Sequence, residues 1–299
     1  MKFFQSSNSV ENEVADHLKI KFGRQVELYS SSGVGGGCIS HASKIRTSEG
    51  DFFLKWNSGC PADMFEREAE GLEELKKAAA DKLIIPRVYA VKKVDATPGF
   101  IVLEFLGPGN FTQNADEMLG RGLAAVHRFS GERFGFYNNN YCGETLQDNS
   151  WKSNWPVFFR DNRLGFLLKL IQKQRTFPVE EELIYNRLLE KIPELIPADS
   201  KPALIHGDLW SGNYMISANG PALIDPASCY TDREMELGIV TMFGGFSQQF
   251  YDAYQEAYPL PSDWRERNRL YQLYHILNHY YLFGGSYRSQ ALQIAKSYI

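Results

Sequence analysis

The stretch LIHGDLWSGNYMI, residues 204–216, sets His206, Asp208, Ser211 and Asn213 among two glycines, between apolar ends. Asp208 and Asn213 are separated by four residues. Carboxylate and carboxamide oxygens are hard ligands suited to Mg2+. Gly207 and Gly212 let the backbone turn tightly, so both side chains can face one cleft. A polar turn capping a helix fits the same stretch. Twelve residues after Asn213 stands Asp225, in PALIDPASCY, where Ala222–Leu223–Ile224 reads as a short strand that delivers it at its end. A carboxylate there can chelate Mg2+, although an Asp–Pro turn is the plainer alternative. The two segments together, in this order, favour a metal pair.

Upstream, SSGVGGGCIS lies between two segments with strand character. Gly35, Gly36 and Gly37 would let backbone N–H groups approach phosphates, although a plain hairpin would use glycines as well. Lys55 ends FFLK and resembles the strand-borne lysine that pairs nucleotide phosphates; a solvated surface lysine is the alternative. Glu68, on the helix that follows, borders an apolar stripe and could clamp Lys55. Glu66, Glu70, Glu73 and Glu74 are its rivals. Glu104, Phe105 and Leu106 end the strand-rich region, where a nucleotide enzyme would carry its hinge and an ordinary protein an edge strand.

The elements that must hold these groups follow from periodicity. Residues 10–22 read as a helix and 26–29 as a strand. His41 to Thr47 and Asp51 to Trp56 read as strands joined by the turn SEG. MFEREAEGLEELKKAAA, residues 64–80, is a helix with Phe65, Ala69, Leu72 and Leu75 as its apolar stripe. Residues 88–94 and 100–105 read as two further strands. Gly107–Pro108–Gly109 marks a boundary between residues 1–106, rich in strands, and residues 107–299. The second region is mostly helical, over 116–129, 154–173, 179–191, 233–257 and 265–283.

The chain has 299 residues, a formal net charge of −4, 43% apolar residues and 23% charged residues. Enough apolar side chains exist for a sizeable core. The charge balance offers no basic face for nucleic acid. Four cysteines, none in a CxxC pair, argue against zinc. Neither a signal-peptide core nor an apolar run long enough to span a membrane is found. The expectation is a cytoplasmic protein with reduced thiols, either a monomer or a homodimer.

Read together, the parts resemble the fructosamine kinase family, within the aminoglycoside-phosphotransferase-like kinases. The resemblance rests on GGGCIS (35–40), FFLKWN (52–57), MFEREAEGL (64–72), VLEF (102–105), LAAVHR (123–128), FGFYNNNYCGETLQDN (134–149), HGDLWSGN (206–213), IDPASCYTDREMEL (224–237), FGGF (243–246) and LYHILNHYYLFGGSY (273–287). It implies an α+β, bilobal, protein-kinase-like fold, with an antiparallel sheet and one helix in the N-terminal lobe and a larger helical C-terminal lobe. It further implies Asp208 as catalytic base, Asn213 and Asp225 as Mg2+ ligands and Lys55 on the ATP phosphates, oriented by Glu68. Trp210 would lie beside the bound sugar, unless it is a packing residue. The implied reaction moves the γ-phosphoryl of ATP to a hydroxyl of a ketosamine, free or protein-bound, in deglycation. A related kinase for an aminoglycoside, choline or homoserine, or a non-catalytic ATP binder, is the alternative.

One position departs from the family: Glu236 stands where the family usually has Asp, which could shift a supporting hydrogen bond. Cys38, directly after the glycines, is either a small loop residue or a thiol whose oxidation blocks nucleotide. His275 and His279 share helical spacing and read as packing or cleft-lining residues. His206 reads as a brace for the loop of Asp208.

Overall fold

Strand alternation decides which side of the first sheet carries the chemistry. In the computed structural model, which describes the backbone of residues 2–35, 40–109 and 114–299 and side chains from Val10 onward, helix α1 (Lys2–Phe22) is followed by β1 (Leu28–Gly33), β2 (His41–Thr47) and β3 (Gly50–Asn57). Helix α2 (Met64–Ala79), β4 (Val88–Lys92) and β5 (Gly99–Glu104) complete the region. The five strands form one antiparallel sheet in the order β1-β2-β3-β5-β4. Phe52 and Leu54 on β3, with Phe100 and Val102 on β5, bury against Val10, Val14 and Leu18 of α1. The alternate residues Ile101 and Leu103 pack with Phe65 and Leu72 of α2. Lys55 shares this second face by the period of two. The sheet therefore carries a helix on each face, one more than the single helix implied by the resemblance.

The rest of the chain is mainly helical. After α3 (Ala115–Arg128) come the short strands β6 (Asn140–Cys142) and β7 (Thr145–Gln147), then α4 (Trp155–Phe158), a π-helical segment (Phe159–Gly165), α5 (Phe166–Gln174) and α6 (Val179–Leu195). Strands β8 (Ala203–Ile205), β9 (Tyr214–Ser217), β10 (Gly220–Leu223) and β11 (Cys229–Thr231) precede α7 (Arg233–Met242), α8 (Gln248–Ala257), α9 (Trp264–Phe283) and α10 (Tyr287–Lys296). One core runs from α2 through Leu119, Leu123, Leu204 and Leu223, so the two regions share apolar packing. A second core joins Trp155, Phe158 and Phe159 to Leu270, Tyr271 and Leu277 of α9.

Three expected elements differ. The first strand starts two residues later and runs on through Ser30–Gly33, because pairing with β2 overrides the weak strand preference of Ser and Gly. The helix expected over 154–173 contains a wider π-helical turn, and there Arg163 points inward, fully buried. Its guanidinium donates to the Asp148 carbonyl at 2.8 Å, to Asn149 Oδ1 at 2.7 Å and to the Cys229 sulfur at 3.0 Å. The helix expected over 233–257 is two helices. Gly244 and Gly245 break it with φ of +70° and +92°, and a Cβ on Gly245 would meet Ser211 Cβ at 2.6 Å.

The Gly107–Gly109 segment is tied down. Gly109 N–H donates to the Ile216 carbonyl at 3.0 Å and Ala218 N–H to the Gly107 carbonyl at 3.3 Å. Just ahead of β4, Ile84 N–H donates to the Pro221 carbonyl and its own carbonyl accepts from Leu223 N–H, both at 3.0 Å. The β9–β10 hairpin is thus stitched to the chain on both sides of the sheet's last two strands.

Helix α3 lies so close to α8 that a Cβ on Gly120 would meet the Phe250 carbonyl oxygen at 2.3 Å. Gly120→Ala is expected to destabilise the protein by about 1–3 kcal/mol, the range for forced overpacking. Denaturant unfolding should show a lower midpoint with an unchanged slope.

Candidate active site

The loop 206–213 is held from behind by a buried carboxylate. Glu236, on α7 and fully buried, accepts from His206 N–H at 2.5 Å and from Gly207 N–H at 3.1 Å. Its second neighbour is the His127 ring at the end of α3, 3.7 Å away, whose Nδ1 meets the Tyr254 hydroxyl at 2.7 Å. Burial pushes the Glu236 carboxyl up; the nearby His127 and His206 and the loop amides outweigh it and leave it below its ordinary value. Sequence reading noticed Glu236 only as a departure. Its hold on the loop depends on a fold that brings positions 29 and 30 residues apart together, and no local pattern encodes that.

Gly207 and Gly212 serve different needs. Gly207 has φ +85° and stands where a Cβ would strike the Ala227 carbonyl at 2.2 Å. Gly212 makes room instead for Trp210, whose ring would lie 2.4 Å from an added Cβ. The indole is 40% exposed and meets Phe243 edge-on, with ring centroids 6.2 Å apart.

His206 links the loop to the strand that ends at Asp225. Its Nε2 bonds the Ile224 carbonyl at 2.8 Å and its Nδ1 accepts from Asp208 N–H at 3.3 Å. Burial pushes the imidazole pKa down, so it is a neutral brace with one donor and one acceptor nitrogen. Ile224 N–H in turn donates to the Asn213 carbonyl at 3.0 Å. Asn213 Nδ2 donates to the Asp208 carbonyl at 2.8 Å and to Asp208 Oδ2 at 3.1 Å. With the amide nitrogen so engaged, Oδ1 is the atom Asn213 offers a cation. Asp225 has φ +55°, a conformation rare for a residue with a side chain. Asp208, Asn213 and Asp225 therefore belong to one hydrogen-bonded unit.

Lys55 joins that unit to the sheet. Its Nζ donates at 2.9 Å to Glu68 Oε2 and at 2.9 Å to Asp225 Oδ1. Burial disfavours the ammonium, but the two carboxylates hold its pKa above the ordinary value. Burial likewise pushes Glu68 up, to about 7. Asp225, with its side chain 41% exposed, stays below its usual range, because the Lys55 ammonium outweighs the cost of burial. Of the rival glutamates, Glu70 and Glu66 pair with Arg67, and Glu74 accepts from the Tyr230 hydroxyl at 2.6 Å.

Asp208 has no such counter-ion among the described residues. Burial first, then the charges of Glu236 and Asp225, push its carboxyl up to about 8. Beside it lie Cys142 and His275, which the sequence offered only as a cysteine and a helix histidine.

The remaining expected residues are less closely tied to this cluster. Gly35 borders an open cavity on the α1 side of the sheet, with Ser40 and Trp56. Gly36, Gly37 and Cys38 lie outside the described residues. Glu104 N–H donates to the Arg87 carbonyl at 2.8 Å and its side chain accepts from Arg87 N–H at 3.2 Å. The Phe105 ring carries the Lys44 ammonium 4.3 Å from its centroid, and Leu106 is half-buried.

The sequence profile of the fructosamine kinase family matches residues 10–299. The chain is 37% identical over 284 residues to the chloroplastic protein-ribulosamine 3-kinase of Oryza sativa subsp. indica, covering 93% of this chain and 81% of that one. A Thermobifida fusca YX-ER1 structure provisionally named as a fructosamine-3-kinase superposes with a TM-score of 0.83 at 30% identity, covering 96% of this chain and 98% of that one. Aminoglycoside phosphotransferase APH(4)-Ia, with AMP-PNP and hygromycin B, shares the fold at a TM-score of 0.63 and 15% identity, covering 95% of this chain and 98% of that one. With an antiparallel sheet followed by a helical region, the fold is protein-kinase-like, and the chain belongs to the fructosamine kinase family.

Proposed function

We propose that this protein transfers the γ-phosphoryl group of ATP to a sugar hydroxyl of a ketosamine, the adduct of a reducing sugar with an amine. The observation that carries the reading is the bridge from Lys55 to Asp225, which brings the sheet's ammonium to the same cleft as Asp208 and Asn213. The substrate class comes from the relatives, one of which is named for ribulosamine. Phosphorylation turns a poor leaving group into a good one, so the adduct decomposes and the amine is restored; the biological role is deglycation.

In this reading Asp208 takes the proton of the acceptor hydroxyl. A carboxyl raised to about 8 in the metal-free protein is a stronger base than an ordinary one, and a cation held beside it by Asn213 and Asp225 would favour its ionised, proton-accepting form. Lys55 holds the ATP phosphates, with Glu68 fixing its direction. Glu104, Phe105 and Leu106 form the hinge for the adenine edge, and the glycines at 35–37 cover the phosphates. The hinge also serves as the boundary between residues 1–106 and 107–299. Asn213 Oδ1 and the exposed carboxylate of Asp225 would hold Mg2+, since both are hard oxygen donors. When bound, the ion neutralises charge on the phosphates. Trp210 offers an indole face to the sugar or its amine.

Mass spectrometry of ATP/Mg2+ reactions with a panel of glycated lysines tests the reading, the expected product carrying one added phosphoryl group. Phosphorylation of aminoglycosides, choline or homoserine in place of every ketosamine would overturn it. Asp208→Asn should retain ATP binding and lose turnover by about 10²–10⁴-fold, the range for a general base.

The same variant tests the electrostatics in the metal-free protein. The folded state holds the Asp208 proton up to about pH 8, whereas the unfolded chain releases it near pH 4. Between these limits the folded state binds more protons, so this group's contribution to stability falls as pH rises. Asp208→Asn should leave the melting temperature nearly unchanged at pH 5 and raise it above wild type at pH 9.

A further inference from the structure

The floor beneath Asp208 has no assigned task. Cys142, at the end of β6, and His275, from the middle of α9, meet there although 132 residues separate them in sequence. A ring nitrogen of His275, the Cys142 sulfur and an Asp208 carboxylate oxygen all lie within 4.8 Å of one another. His275 is 1% exposed, and its Nδ1 has no hydrogen-bond partner. The Cys142 sulfur accepts from Asn278 Nδ2 at 3.3 Å. A buried ring nitrogen left unanswered costs free energy, and such groups mark places where something else binds.

A metal ion is the first candidate, and the thiol argues against it. Burial holds Cys142 well above its ordinary pKa, while metals take cysteine as thiolate. The imidazole, pushed down to about 3 by burial and by neighbouring His279, is neutral and carries one N–H. The floor is thus a set of uncharged hydrogen-bonding groups beside one carboxylate.

A hydroxyl oxygen fits this set. With hydrogen-bond lengths of about 2.8 Å, partners no more than 4.8 Å apart subtend at most about 118° at a shared oxygen, so one hydroxyl can reach both. Resting on the reading of Asp208 as proton acceptor, we propose that His275 is the second contact of the acceptor hydroxyl. The hydroxyl donates its hydrogen to Asp208, accepts the N–H of His275, and keeps one lone pair for the phosphorus. On transfer the new O–P bond forms and the bond from the γ-phosphorus to its bridging oxygen breaks. That electron pair leaves with ADP, and the proton stays on Asp208. His275 fixes the rotation of the hydroxyl, an orientation effect that favours in-line attack. It is a specificity-determining residue, because an acceptor whose hydroxyl sits elsewhere leaves the N–H unpaired.

The test compares His275→Phe, which keeps the ring and removes the donor, with His275→Gln, which keeps an N–H. His275→Phe should lower kcat/KM for the ketosamine about tenfold, the size of one lost hydrogen bond, with ATP affinity and melting temperature near wild type. His275→Gln should recover part of the loss. Should the Phe variant fold poorly, His275→Leu replaces it in the comparison. Turnover within twofold of wild type in the donorless variant would overturn the proposal, as would equal losses in both variants with lowered melting temperatures. Water can take the hydroxyl's position, so ATP hydrolysis without sugar should fall in parallel. If wild type phosphorylates no ketosamine, the substrate reading fails, and the hydrolysis comparison still decides the role of His275.

Discussion

An ammonium shared between two carboxylates is the constraint on which the cleft depends. Lys55 reaches Glu68 on one side and Asp225 on the other, both at 2.9 Å. Each of the three comes from a different element, β3, α2 and the turn after β10, and the largely buried Lys55 and Glu68 would be costly as lone charges. A buried charge without a partner costs several kcal/mol, so removing one member of such a set is far more damaging than the net value of the pair. The arrangement therefore fixes geometry more than it adds stability. It ties the α2 face of the sheet to the turn that carries Asp225.

The β9–β10 hairpin extends the same logic to the backbone. Asn213 stands just before it and Asp225 just after it, and the N–H of Ile224, which precedes Asp225, donates to the Asn213 carbonyl. Hydrogen bonds from Ile84 and from the Gly107–Gly109 segment fasten the hairpin to the chain entering and leaving the last two strands. Below, Glu236 ties the start of the 206–213 loop to α7, and the His206 ring links that start to Ile224. Lys55, Glu68 and Asp225 are thus held to partners distant in sequence, and Asp208 is held in turn by its bonds to His206 and Asn213. Such preorganisation is what positioning chemistry requires.

Some of this was legible in the sequence, for identifiable reasons. The alternation of FFLK put Lys55 on one face, and the stripe of Phe65, Ala69, Leu72 and Leu75 aimed α2 at it; both are local periodicities. Asp208, Asn213 and Asp225 stood out because glycines and a short apolar strand frame them. What escaped is non-local. The break between α7 and α8 looked like a continued apolar run, although Gly244 and Gly245 adopt left-handed backbone there. The π-helical turn at 159–165 has no pattern distinct from an ordinary helix. Glu236, Cys142 and His275 acquire meaning only when α7, β6 and α9 close around the loop.

The wide turn that admits Arg163 leaves a permanent cation inside the second region. Its guanidinium is met by neutral acceptors, a carbonyl, a carboxamide and a sulfur, and among the described residues no carboxylate pairs with it. From there its charge is felt by both His275 and Cys142, disfavouring a proton on each. Salt in the surrounding solution does little to screen a source so deep. Around neutrality nothing on the pocket floor titrates: the imidazole stays uncharged and the thiol stays protonated. At the pocket floor, proton exchange around neutrality is thereby left to the carboxyl of Asp208.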